Sequence, residues 1–333
     1  MARAIFIPFS TFFLILSFSL SATQDSFPQA TALTPEKIID AHLRSIGNPE
    51  ALNSIKNRGI NGTVTVQFIQ GGAPGKMIGQ SMLISAGQNF GLIMRYGAVE
   101  YPGEHFAYDG SEVTIANISP GQRSPLGDFL YRYNGLIKEG LLSGVLSTGW
   151  ALLDIEKNKP GLAFNQAKVD GQELYAIDYS PKTDLNDIKV KLFFDPDTFH
   201  HVRTEYRLVV HGEQSLLSST PYSHGAPKSK NAWNMSSRYA TAAEAGGYIQ
   251  GVNILDEIND SIYVLIEKFD KFKEIEFKSA KSDQAMRLTL PQKYTIEYST
   301  QGQGSTFLGI WDINAVQWIQ NGTIDASFFE AQR

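Results

Sequence analysis

Six histidines, His42, His105, His200, His201, His211 and His224, are the residues of this 333-residue chain best suited to ligate a metal or move a proton near neutral pH. No two stand three or four apart, the spacing that aims two imidazoles of one helix at a single metal. His200 and His201, as neighbours on a strand, point to opposite faces and read as polar strand-edge residues. Asp195 and Asp197 are spaced like two calcium ligands, but Pro196, Thr198 and Phe199 break the rest of that loop pattern, so a tight turn is expected. The run Gly71-Gly72-Ala73-Pro74-Gly75-Lys76 has a misplaced first glycine for a phosphate-binding loop and is followed by Met77 instead of Ser or Thr. It reads as a hairpin turn. Gly302-Gln303-Gly304-Ser305 is too short for a dinucleotide fingerprint, and no serine occupies a Gly-x-Ser-x-Gly elbow. The absence of cysteine removes thiol nucleophiles, disulfides, thiolate metal sites and lipid attachment to a thiol. Carboxylates are plentiful, but no pair is singled out by spacing. The expectation is a protein that is not an enzyme, uses no cofactor and holds no metal.

What recurs instead is apolar and aromatic residues at alternating positions, with the adaptable Met77, Met82 and Met94 among them, a pattern of core or of a surface for loosely shaped hydrocarbon. Helical signals come first. Thr34 is an N-cap candidate, Pro35 suits the first helical position, Ile39, Leu43 and Ile46 form one stripe, and Gly47 suits a left-handed residue beyond the end. Asn48-Pro49-Glu50 starts a second, shorter helix carrying Leu52 and Ile55. From Ile60 the apolar period drops to two, and strands are expected at Ile60–Phe68, Met77–Ser85 and Phe90–Tyr96, then a hairpin over Phe106–Tyr108 and Val113–Asn117 about Asp109-Gly110. Helical spacing returns between Leu126 and Leu153, and a helical stretch inside a meander must cover one face of the sheet. Strands resume at Leu162–Val169, Leu174–Tyr179, Ile188–Phe194 and His201–Val210, and again at Ile262–Phe269, Leu288–Tyr298 and Phe307–Ile319. Residues 212–259 read as a long insertion, and Lys268–Lys281, with its alternating charges, as a solvated segment with Phe269, Phe272, Ile275 and Phe277 on its buried side.

The start of the chain has the pattern of an export signal: Arg3, an apolar stretch from Ala4 to Leu20, then the small residues Ser19, Ser21, Ala22 and Thr23. Residues 1–23 are therefore expected to be a cleaved signal peptide and 24–33 a polar linker, with one domain from 34 to 333 in the bacterial periplasm or secreted. With no cysteine there is no lipoprotein attachment site. The 29 Lys and Arg against 34 Asp and Glu give a net charge of −5 and no basic stripe, so nucleic acid is not an expected partner.

The order helix, antiparallel meander, central helical cover and further meander resembles the LolA/LppX-like family of periplasmic lipid-binding half-barrels. The resemblance rests on Thr34-Pro35-Glu36-Lys37-Ile38-Ile39-Asp40-Ala41-His42, on Tyr108-Asp109-Gly110-Ser111, on Val190–Phe199, on Leu290-Pro291-Gln292-Lys293-Tyr294 and on the ending Asn321–Phe329. It implies an α+β, β-rich fold: an antiparallel half-barrel, an incomplete and strongly curved sheet, with helices covering its concave face. It also implies an apolar cavity between the sheet and Leu126–Leu153 that receives a lipid or the acyl chain of a lipoprotein, with a membrane-associated donor or acceptor protein as a further partner. Val64, Val66, Phe68, Met82, Leu92, Met94, Phe129, Leu130, Leu192 and Phe194 are the residues expected to line that cavity. Two other readings are carried. The first is an envelope protein-interaction or stress-sensor module of the same fold, with a filled interior; the second is a hydrolase with a polar cleft of converging carboxylates.

Overall fold

The computed structural model describes residues 33–69, 75–181, 185, 187–210, 261–279, 284–302 and 305–331. The expected signal peptide, most of the linker, the insertion and residues 71–74 of the glycine-rich turn lie outside them. From Thr34 onward the chain forms one compact unit.

The first two helices form where the caps place them. The Thr34 side chain accepts from the Lys37 amide and Pro35 opens α1 (Pro35–Ile46), while the Asn48 side chain accepts from Ala51 and Pro49 opens α2 (Pro49–Ser54). The expected left-handed Gly47 is instead extended, with φ 173. Its lack of a side chain serves packing, since a Cβ there would come 2.6 Å from Leu288 Cδ2.

Twelve strands follow: β1 (Asn57–Ile69), β2 (Gly75–Ala86), β3 (Asn89–Tyr96), β4 (Gly103–Tyr108), β5 (Val113–Ile115), β6 (Gly161–Val169), β7 (Gln172–Ser180), β8 (Lys189–Phe194), β9 (His201–Val210), β10 (Ser261–Lys278), β11 (Ala285–Gly302) and β12 (Ser305–Gln320). They make one antiparallel sheet in the order β5-β4-β3-β2-β1-β12-β11-β10-β9-β8-β7-β6. The sheet is not closed, because β5 and β6 stand at opposite edges, and the architecture is an open half-barrel. β10 continues to Lys278, so the segment read as solvated is the far end of a long hairpin with β11. Alternating charges there mark the exposed flank of a strand, while Phe277 is buried. Register shifts at Asn61/Gly62 and Phe193/Phe194 insert bulges of the kind that bend strands in a curved sheet.

The topology dictates where the cover goes. β5 ends at one edge of the sheet and β6 begins at the other, so the connection must cross the whole concave face. It does so in short pieces: α3 (Pro125–Arg132), α4 (Gly135–Lys138), two 3₁₀ turns (Gly144–Leu146 and Ala151–Asp154) and α5 (Ile155–Asn158). Ser124 caps α3 by accepting from Gly127 at 2.8 Å. α4 closes in a Schellman arrangement, in which the Gly140 amide donates to Ile137 and the Leu141 amide to Leu136, each at 3.0 Å. Gly140 takes φ 72, and a Cβ there would lie 2.0 Å from the Gly149 carbonyl oxygen. Gly140→Ala is therefore expected to cost about 2 kcal/mol or more, from left-handed strain plus that clash, read as a lower urea midpoint at unchanged slope.

Candidate functional site

Register places the expected site residues on defined faces. Val64, Val66 and Phe68 of β1 face the cover, as do Leu92 and Met94 of β3 and Leu192 and Phe194 of β8, and Phe129 and Leu130 of α3 meet them from the cover side. Met82 does not join them. It pairs with Ile93, whereas Leu83 pairs with Leu92, so Met82 stands on the outer face beside Asn61, Gln80 and Phe328. Met82-Leu83-Ile84 is apolar on both sides of the strand, and such a run carries no alternation from which a face can be read.

The other nine are 0 to 2% exposed. Side chains this buried form a packed layer in place of the roomy cavity expected; of the nine, Leu92 borders a small void and Met94 borders a groove beside Ile93, Arg95 and Glu104. Aromatic rings fill the space: Phe68 packs edge-on against Tyr101 at 5.1 Å and Trp311 at 5.8 Å, and Phe129 meets Tyr298 at 5.1 Å. A void of about 10 Å³ remains between Ile60, Leu83, Leu92, Leu146, Tyr294 and Ile313, room for roughly one water.

The seam between sheet and cover is fastened by polar groups that sequence reasoning missed. Arg58 of β1 is 4% exposed, donates to the Val145 carbonyl at 2.5 Å and lies 3.3 Å from Gln320 Oε1. Both acceptors are neutral, and burial lowers its pKa to about 10. Glu267 of β10 is fully buried among donors: the Ser143 amide at 2.7 Å, the Tyr206 hydroxyl at 2.6 Å and the Tyr294 hydroxyl. Burial raises its pKa to about 7 against the pull of those hydrogen bonds. The Tyr206 hydroxyl also lies 2.9 Å from the Leu141 carbonyl, and the Thr148 amide donates to Ser85 Oγ of β2 at 2.9 Å. At the α3 end, Glu104 of β4 is 2% exposed and accepts from Tyr101 at 2.7 Å. Burial lifts it too to about 7, against hydrogen bonds from Ser124 and Tyr101.

A ring cluster docks α1. His42 and His201, both 0% exposed, pack against Trp150, His42 edge-on and His201 stacked, each with its ring centroid 5.1 Å from the indole, and Phe194 closes the cluster. His201 is thus a core residue and not a polar strand edge, and the fold brings it 6.1 Å from a histidine far away in sequence. His42 Nδ1 lies 2.8 Å from the Phe199 carbonyl and 3.2 Å from the His201 amide nitrogen, while Nε2 is buried without a partner among the described residues. Burial drops the His42 pKa to about 3 and holds His201 well below its usual value. A lone His in a helical stripe gives no signal of such a role. Among the described residues no group of three or more His, Asp or Glu could hold a metal, and no helix is long and apolar enough to cross a membrane.

No protein-family model matches the chain, and no curated protein matches it. Among solved structures it is similar to a DUF1329 family protein from Desulfovibrio piger, at 11% identity and a TM-score of 0.32 over 89% of this chain and 96% of the other. It is also similar to a putative outer membrane lipoprotein-sorting protein domain from Vibrio parahaemolyticus, at 9% identity and a TM-score of 0.38 over 88% and 96%. The MucA/MucB complex structure of Pseudomonas aeruginosa gives 9% identity and a TM-score of 0.19 over 86% and 99%. All three likenesses are distant.

Proposed function

We propose that this chain is an exported, non-enzymatic binding protein that takes up a lipid, or the acyl part of a lipoprotein, between its sheet and its helical cover when the cover parts. The observation that carries the reading is the seam itself. It buries Arg58 against neutral acceptors and Glu267 against neutral donors, with no ion pair between them. The buried Arg58 guanidinium costs several kcal/mol of lost hydration and burial likewise penalises the ionised form of Glu267, and water entering an opened seam restores both. The pieces of the cover are at most eight residues long, too short to hold their form alone, so they depend on the sheet and can leave it. Beneath them Val64, Val66, Phe68, Leu92, Met94, Leu192 and Phe194 offer an apolar bed, under Phe129 and Leu130 of the cover. An acyl chain entering it gains about 0.8 kcal/mol per buried CH₂, so ten methylenes offset about 8 kcal/mol of opening.

The chain contains no cysteine, which makes the test direct. Ser85→Cys/Thr148→Cys would join β2 to the cover where the two now share a hydrogen bond. Reduced protein mixed with phospholipid or an acylated peptide is expected to carry lipid in native mass spectrometry, and oxidised protein is expected to carry none until dithiothreitol is added. Equal loading of the oxidised form would overturn the moving cover. Absence of loading in both forms would favour the second reading, a protein-interaction module of the same fold, which the packed interior supports.

A further inference from the structure

The two edges of the sheet are unlike. β5 is three residues long, with Val113 and Ile115 buried, and the chain end crosses it, the Ala331 amide donating to Thr114 Oγ1 at 2.7 Å. β6 runs for nine residues in unbroken register with β7, from Gly161 opposite Ser180 to Val169 opposite Gln172, and no described strand pairs with its other side. α1 lies near β6, but within the strand itself the sequence devices that blunt such an edge are missing. β6 has no proline and no bulge, and its one charge, Lys168, leans toward Glu173 at 3.9 Å. Its flanks are apolar on both faces: Leu162 and Phe164 on the concave side, and Ala167 and Val169 on the outer side against the buried cluster of Leu174, Ala176 and Phe193.

We propose that β6 is an interface between two copies of this chain, which pair antiparallel about a two-fold axis through Asn165 and continue one sheet across both. The sequence of β6 is self-complementary in that register. Gly161 meets Val169, Leu162 meets Lys168, Ala163 meets Ala167, Phe164 meets Gln166, and Asn165 meets itself. Each residue stays on its own face, because the two members of every pair have the same parity along the strand. No like charges oppose one another, and Lys168 lies across from Leu162 of the second copy, where its methylenes cover an apolar neighbour. The two Ala163–Ala167 pairs let the outer faces approach without obstruction. A row of backbone donors and acceptors that no described strand pairs is satisfied by another extended backbone, and two-fold pairing is the commonest symmetric solution.

Sedimentation equilibrium and light scattering on the full chain provide the test. The dimer fraction should rise with concentration up to about 100 μM, and a chain that stays monomeric there would overturn the proposal. Ala163→Lys/Ala167→Lys sets lysine against lysine twice and is expected to weaken the dimer by about tenfold or more. Ala163→Lys/Ala167→Glu pairs opposite charges at the same places and should restore dimerisation to near the unmodified level. Failure of that restoration in a variant with an unchanged circular dichroism spectrum would overturn the register and the proposal. Asn165→Lys, at an exposed position that meets itself across the axis, provides a second disruption by placing lysine against lysine once.

Discussion

On acidification from pH 7 to 4.5, single substitutions at two buried sites should reveal large, opposing slopes in the stability of this protein. His42 is held neutral, with its pKa lowered to about 3 from an ordinary 6.5. The unfolded chain binds that proton first as the pH falls, so the stability of keeping His42 neutral is complete above pH 6.5 and is lost progressively down to about pH 3. The full loss is on the order of 5 kcal/mol. His201 acts in the same direction. Glu104 and Glu267 act oppositely. Their pKa values are raised to about 7 from 4.5, so the folded state takes up their protons first and gains stability as the pH falls through that window, about 3 kcal/mol each. His105 and His200, whose pKa values burial also lowers, add to the histidine loss, and below pH 4.5 the glutamate gain is complete while the loss continues, so stability should fall steeply there.

Urea unfolding as a function of pH separates these contributions. His42→Asn keeps an N–H to meet the Phe199 carbonyl and removes the titration. Relative to the unmodified protein, its stability should rise on acidification from pH 6.5 to 4.5 by about 1.4 kcal/mol per pH unit. Glu267→Gln should show the reverse slope, about 1.4 kcal/mol per unit of relative loss, through the same window. Groups that titrate alike in both proteins drop out of the difference. Parallel profiles for the two variants would refute the assignment of the buried charge states.

Trp150→Ala should cost about 3 to 5 kcal/mol, the largest loss expected of any single truncation in the cover. Trp150 is 1% exposed, packs against the imidazoles of both His42 and His201, and so joins the cover to α1 and β9 at once. Its removal opens a cavity against rings that are held by their own backbone contacts and cannot collapse into the space. Its indole N–H has no partner among the described residues, so Trp150→Phe loses volume but no hydrogen bond to them and should cost only about 1 to 2 kcal/mol. If the cover parts to admit an acyl chain, the alanine variant should also load lipid faster than the unmodified protein at a temperature where both remain folded. A stability loss for Trp150→Phe equal to that for Trp150→Ala would show that packing volume is not what Trp150 contributes.

The local grammar of this chain is strong, and it determined the elements. Thr34, Asn48 and Ser124 stand where capping side chains are needed, the two-residue alternation from Ile60 onward marks strands, and Asp109-Gly110 marks a hairpin. These signals depend on neighbours within a few residues, and so they survive in the sequence. Their order required that the helical run cover a face of the sheet, and the half-barrel itself came from the resemblance that this order carries. What lies opposite what was not legible. Met82 could not be assigned a face because Leu83 and Ile84 are equally apolar, and the extent of β10 was hidden by the alternating charges on its exposed flank.

Only the tertiary structure decided that the cover is sealed and by what. Arg58 meets Val145, Glu267 meets Ser143, and His42 meets His201 across separations of 87, 124 and 159 residues. A buried charge or imidazole carries no mark in sequence that distinguishes it from a solvated one, because its burial is set by partners that arrive from elsewhere in the chain. The crossing from β5 at one edge to β6 at the other brings those partners together, and it also leaves β6 as the long open edge.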